Sequence, residues 1–87
     1  MKTTLERAAR ALCELDGQAT DAKVGPKSMW QDYLPEVRAV FEAIRHPSLD
    51  LVATGGQIED LGGTPIGALR AEAVWVSMIE RALTKPS

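Results

Sequence analysis

The side chains able to do chemistry are few and scattered. One cysteine, Cys13, and one histidine, His46, stand far apart in the sequence. A zinc or iron site needs about four His, Cys or carboxylate ligands at short spacings, so no closed metal centre is expected. Cys13 falls among apolar residues at helical spacing, which reads as a small buried hydrophobe rather than an activated thiol, because no neighbour in sequence lowers its pKa. His46 precedes Pro47 at the end of an expected helix, where an imidazole can satisfy free carbonyls and complement the dipole. No serine or cysteine nucleophile has a motif that points to it.

The acidic pair Glu59-Asp60 lies in an expected loop, where carboxylates are ordinarily solvated; a two-carboxylate hydrolase sets its pair in the cleft of a larger fold. Gly62-Gly63-Thr64-Pro65-Ile66-Gly67 comes before a helix start, whose free amides could receive an anion. It lacks the spacing and following lysine of a phosphate-binding loop, and no strand precedes it. A joint and a helix cap explain it better. The chain is therefore expected to be non-enzymatic and to use no cofactor.

The elements that would position these residues read as all-α. Leu5, Ala8, Ala9, Leu12, Cys13 and Leu15 recur at spacings of three and four, Thr3 and Glu6 fit a capping box, and Gly17 supplies a stop, giving a helix over about 4–16. Residues 17–28 are polar and contain Gly25-Pro26, so they read as a long loop with Val24 as its anchor. Ser28 and Gln31 then cap a second helix. Pro35 interrupts it, which allows either a kink or a short turn at 29–33 followed by a new helix with Pro35 in its first turn. Because Trp30, Leu34, Val37, Phe41 and Ile44 keep one apolar phase across the proline, a single kinked helix over 29–46 is favoured. A short helix over 49–54 is expected to end at Gly55-Gly56. Ile58 and Leu61 are expected to fold back onto the core from the loop that follows. Thr64-Pro65 signals a last helix over 65–84. The expectation is one small domain over residues 1–87, a bundle of three main helices and a short one, with no sheet.

Bulk composition sets the remaining limits. An 87-residue chain with 45% hydrophobic and 25% charged residues is long enough for one core. Its ten basic and twelve acidic side chains leave a net charge of −2 and are interleaved, so there is no basic stripe for a nucleic-acid backbone. One cysteine, no apolar leader and no stretch of about 20 apolar residues suggest a cytoplasmic, membrane-free protein. Trp30 and Trp75 sit on expected core stripes. Tyr33, near the proline and the long loop, could anchor an interface.

The pattern Trp30-x-x-Tyr33-Leu34-Pro35-Glu36-x-Arg38-Ala39, then Glu42-Ala43-Ile44-Arg45-x-Pro47-Ser48, then Val74-Trp75-x-x-Met78-Ile79-x-x-Ala82-Leu83, resembles a group of short uncharacterised proteins of alphaproteobacterial prophages and phages. Ala8-Arg10-Ala11-Leu12-Cys13 and Asp16-Gly17 are also similar. The resemblance covers most of the chain, consists of core residues and helix ends, and transfers no functional residue. It implies an accessory protein that modulates a larger machine by binding it. The expected role is thus a module that binds another protein, with Tyr33, Arg38 and Arg45 as partner contacts. Two other classes stand beside it: a small DNA-binding regulator, to which helix 2 would contribute Arg38 and Arg45, and a subunit of an oligomer whose apolar helix faces continue into a copy.

Overall fold

The computed structural model describes residues 2–84. It is mostly helical with one small antiparallel sheet: α1 (Thr4–Leu15), β1 (Lys23–Val24), β2 (Lys27–Ser28), a 3-10 turn (Met29–Tyr33), α2 (Leu34–Ala43), α3 (Leu49–Gly56) and α4 (Ala68–Thr84). The described residues fall into two compact units, one of residues 2–42 with 82–84 and the other of residues 43–81.

In the first unit α1 begins where the Thr3 hydroxyl accepts from the Glu6 amide at 3.1 Å. It ends in a Schellman motif: Gly17, at φ +75°, donates to Glu14, and Gln18 donates to the Cys13 carbonyl. Both bonds satisfy carbonyls that the helix end leaves free. Leu5, Ala9 and Cys13, four residues apart, form the fully buried face of α1 and cluster with Trp30 and Val37.

Residues 17–28 are a bonded connection rather than an open loop. Val24 pairs with Lys27 and Lys23 with Ser28 around Gly25-Pro26, and Gly25 takes φ +63°. A glycine at positive φ in the first central position suits a two-residue hairpin, and proline's fixed φ suits the second. The expectation of no sheet is therefore corrected. Strands of two residues are too short to show alternation, and Gly-Pro served here as a turn, not only as a helix breaker. Val24 is exposed and does not anchor the core.

The single kinked helix over 29–46 is likewise replaced by two pieces. The Gln31 carboxamide oxygen accepts from the Ser28 amide at 3.0 Å and opens a five-residue 3-10 turn; α2 follows with Pro35 in its first turn. There the missing N–H costs nothing, whereas a continuous α-helix would press the ring on the Gln31 carbonyl. Both pieces keep the apolar phase, so periodicity could not separate them. The α2 helix stops at Ala43 rather than 46, and the indole N–H of Trp75 donates to the freed Ile44 carbonyl at 2.8 Å.

In the second unit the Ser48 hydroxyl accepts from the Leu51 amide and caps α3. The helix ends at this glycine pair as expected, but includes both as its last residues, two beyond Thr54. These glycines permit close approach: a Cβ on Gly56 would lie 2.7 Å from backbone atoms of Gly67 and Ala68, and one on Gly55 would lie 3.1 Å from the Ala71 side chain. The Gly67 amide donates to the Gly56 carbonyl across this contact. The expected helix start at 65 is also corrected, because Pro65 bridges to Glu59 and Gly67 takes φ +86°, which delays α4 to Ala68. Ile58 and Leu61 are exposed rather than folded back; Leu61 is 110% exposed. Val52 and Gly56 are buried in this unit, while α4 has no buried residue among those described.

Replacing Leu5 with alanine removes a fully buried side chain and is expected to cost about 2–5 kcal/mol, whereas Leu15→Ala, at a side chain 82% exposed, should change stability by less than about 0.5 kcal/mol. Gly56→Ala should cost about 1–3 kcal/mol because backbone, not a flexible side chain, blocks the new methyl. Urea unfolding followed by circular dichroism checks all three.

Candidate functional site

Several sequence candidates are committed to structure. The Cys13 thiol is buried and donates to the Gln18 carbonyl at 3.8 Å. Burial pushes its pKa up, and the charges of Glu14 and Asp16 add to the rise, the reverse of what a nucleophilic thiolate needs. The Asp60 carboxylate accepts from the amides of Gly62 and Thr64 at 2.9 and 3.0 Å. The amides of the glycine-rich loop thus already face an anion of the chain itself. Among the described residues no group of three or more His, Cys, Asp or Glu side chains is placed to hold a metal ion, and no helix is long and apolar enough to cross a membrane.

His46 lines a cavity of about 270 Å³ in the second unit with Ile44, Pro47, Leu51 and Trp75. The Ser48 hydroxyl on that cavity is spent on the α3 cap. The side chains around the imidazole are otherwise apolar, so the arrangement offers no nucleophile for it to activate.

The proposed partner contacts are distributed as follows. Tyr33 and Arg38 belong to the first unit and Arg45 to the second. The Tyr33 hydroxyl donates to Asp16 Oδ2 at 2.8 Å, which ties the start of α2 to the end of α1. Arg38 donates to the Leu83 carbonyl at 2.9 Å, and Arg45 Nε stands 4.0 Å from the Glu80 carboxylate. Each therefore has an intramolecular partner already.

An open, largely apolar groove of about 600 Å³ lies between α1 and α2 in the first unit. Helix α1 contributes Ala8, Ala11, Leu12 and Leu15; α2 contributes Val37, Val40, Phe41 and one charged residue, Glu36. Leu15 and Val40 are exposed, while Leu12 and Phe41 are half-buried and pack on the core beneath. Two different faces of α1 are thus apolar. Leu5, Ala9 and Cys13 meet Trp30, while Ala8, Ala11 and Leu15 lie beside them on an open face. Reading Leu5, Ala8, Ala9, Leu12, Cys13 and Leu15 as one stripe hid the groove. The signal was its width, since a single buried seam needs only every third or fourth residue.

Compared with protein-family models, curated proteins and solved structures, the chain matches none.

The hydrogen bond to Asp16 pushes the Tyr33 phenol up to about 12, with burial and the Asp16 charge adding to it. A raised pKa means that folding favours the neutral phenol. The stabilisation is complete below the ordinary tyrosine pKa near 10 and is lost as pH climbs through about 12. Tyr33 is the chain's one tyrosine, so phenolate absorbance reads this site alone. Titration should centre near 12 in the native chain and fall toward the ordinary value in Asp16→Asn; equal midpoints in the two proteins would contradict the assignment.

Proposed function

We propose that this chain is a small non-enzymatic module that binds and modulates another protein, of the accessory kind that the phage resemblance implies, and that it docks through the α1–α2 groove. The observation that carries the reading is the open apolar groove itself, with Leu15 and Val40 exposed on its walls. Exposed contiguous apolar surface rimmed by polar groups is characteristic of protein interaction sites, and a cleft between two helices suits a third helix. Tyr33 contributes by tying the start of α2 to Asp16 and Arg38 by tying its middle to Leu83, rather than by touching the partner first. The cytoplasm is the compartment that fits a lone buried thiol.

A second reading, an oligomeric structural component, draws on the second unit, where Leu61, Leu69 and Met78 are exposed. Sedimentation separates it: a chain that stays monomeric at high concentration is not such a component. The DNA-reader alternative gains nothing from α3, which carries no lysine or arginine.

Affinity capture from a bacterial host lysate tests the main reading. The native chain is expected to retain a partner that the Leu15→Glu/Val40→Glu double variant loses, with both proteins showing the same helical circular dichroism. Equal recovery by the two, or no partner with either, would count against the groove as the docking site.

A further inference from the structure

We propose that the groove takes a cationic amphipathic helix of the partner protein, seated with its lysines or arginines toward the C-terminal end of α1. The inference deepens the docking role assigned above and rests on it.

Length and floor point to a helix. From Ala8 to Leu15 the groove wall spans a rise of about 10 Å, which matches two turns of a partner carrying apolar side chains at i, i+4 and i+7. Ala8 and Ala11, both lining the groove, are small enough to let another backbone come close. Leu15, Val40 and Phe41 form higher walls.

Charge sets the chemistry and the direction. Glu36 is the one charged residue in the groove lining. At the same end α1 finishes in Glu14, Leu15 and Asp16, and its last turn contains no basic side chain, so the negative end of the helix dipole is uncompensated. The Tyr33–Asp16 bond brings the start of α2, with Glu36, to this end. The groupings agree electrostatically: Glu14, Asp16 and Asp32 all act on the Cys13 thiol, and Asp16 and Glu36 both act on the Tyr33 phenol. Arg10 acts on the Cys13 thiol in the opposite sense, but it is one cation against three carboxylates there and is shared with Glu6 at 2.8 Å and Asp21 at 3.0 Å while lying over the Trp30 ring. A second copy of this groove would bring no cation in its lining, whereas lysines or arginines flanking a foreign apolar stripe would meet the carboxylates directly.

Two synthetic helical peptides with the same leucine face test this, one flanked by lysines and the other by glutamates, titrated against the full chain by isothermal calorimetry at low salt. The lysine peptide is expected to bind at least tenfold more tightly, with the gap narrowing as salt is raised. The Glu14→Lys/Glu36→Lys chain should erase or invert the preference, and Leu15→Glu should abolish binding of both peptides. Equal affinity for the two peptides would overturn the charge assignment while leaving the groove in place. Failure of both to bind, or binding that survives Leu15→Glu, would overturn the groove itself. A concentration-dependent dimer that Leu15→Glu dissolves would make a second copy the occupant and refute the foreign cationic helix.

Discussion

The indole of Trp30 clusters with Leu5, Ala9 and Cys13, and the Arg10 guanidinium lies 5.3 Å from the centre of its ring. Much of the first unit depends on this arrangement. Trp30 is presented by a 3-10 turn, and that turn is held by backbone bonds from Met29 to Ala22 and from Trp30 to Thr20. Arg10 adds a second tie, since it also reaches the Thr20 hydroxyl and the Asp21 carboxylate. One side chain of α1 thus covers the aromatic ring and pins the connection that delivers it. Cation–π contact and charge-assisted hydrogen bonds act together on one guanidinium, so the bonded path of residues 18–22 is a consequence of the core rather than an independent loop.

What the sequence made legible follows from how local each signal was. Thr3, Ser48 and Gly17 act within a turn of the helix they bound, and those ends lie where capping chemistry puts them. The errors arose where one residue type serves two purposes. Gly55-Gly56 looks like a stop because glycine breaks helices, and α3 does end with it, but Gly56 also admits the backbone of Gly67 and Ala68. Nothing local distinguishes a glycine that ends a helix from one that lets another segment approach. Pro35 posed the same difficulty: a kink and a fresh first turn leave an identical apolar phase. The hairpin around Gly25-Pro26 was invisible for a third reason, because two-residue strands carry no period.

The groove was legible only in part. Leu12, Leu15, Val37 and Phe41 were recognisable as apolar residues at helical spacing, but periodicity shows only that a face is apolar and not what covers it. Covering is decided by tertiary packing, which spends Leu5, Ala9 and Cys13 on Trp30 and leaves the adjacent face open. Tyr33 and Arg38 stood out for the opposite reason: each is a conspicuous residue type, an aromatic ring beside the long connection and a basic side chain on the second helix. Their polar groups turn out to hold backbone and carboxylate partners within the first unit, which makes them supports of the groove before they are contacts of any partner.

The energetics of that groove bear on how it can be used. Burying Leu15 and Val40 completely would contribute about 3–6 kcal/mol on a transfer scale. Bringing two macromolecules together costs about 4–15 kcal/mol in lost translational and rotational freedom. The exposed walls alone therefore offset at most the low end of the cost of association, and an apolar patch of this size would not by itself select one partner. Discrimination must come from a directional term. The carboxylates of Glu14, Asp16 and Glu36 supply one, because all three stand on or beside helices, and Asp16 is held by the Tyr33 hydroxyl. Fixed charge at one end of an apolar slot favours one orientation of an incoming helix and raises its encounter rate. On the proposed role, an apolar contribution this small fits a contact that is made and released better than a permanent assembly.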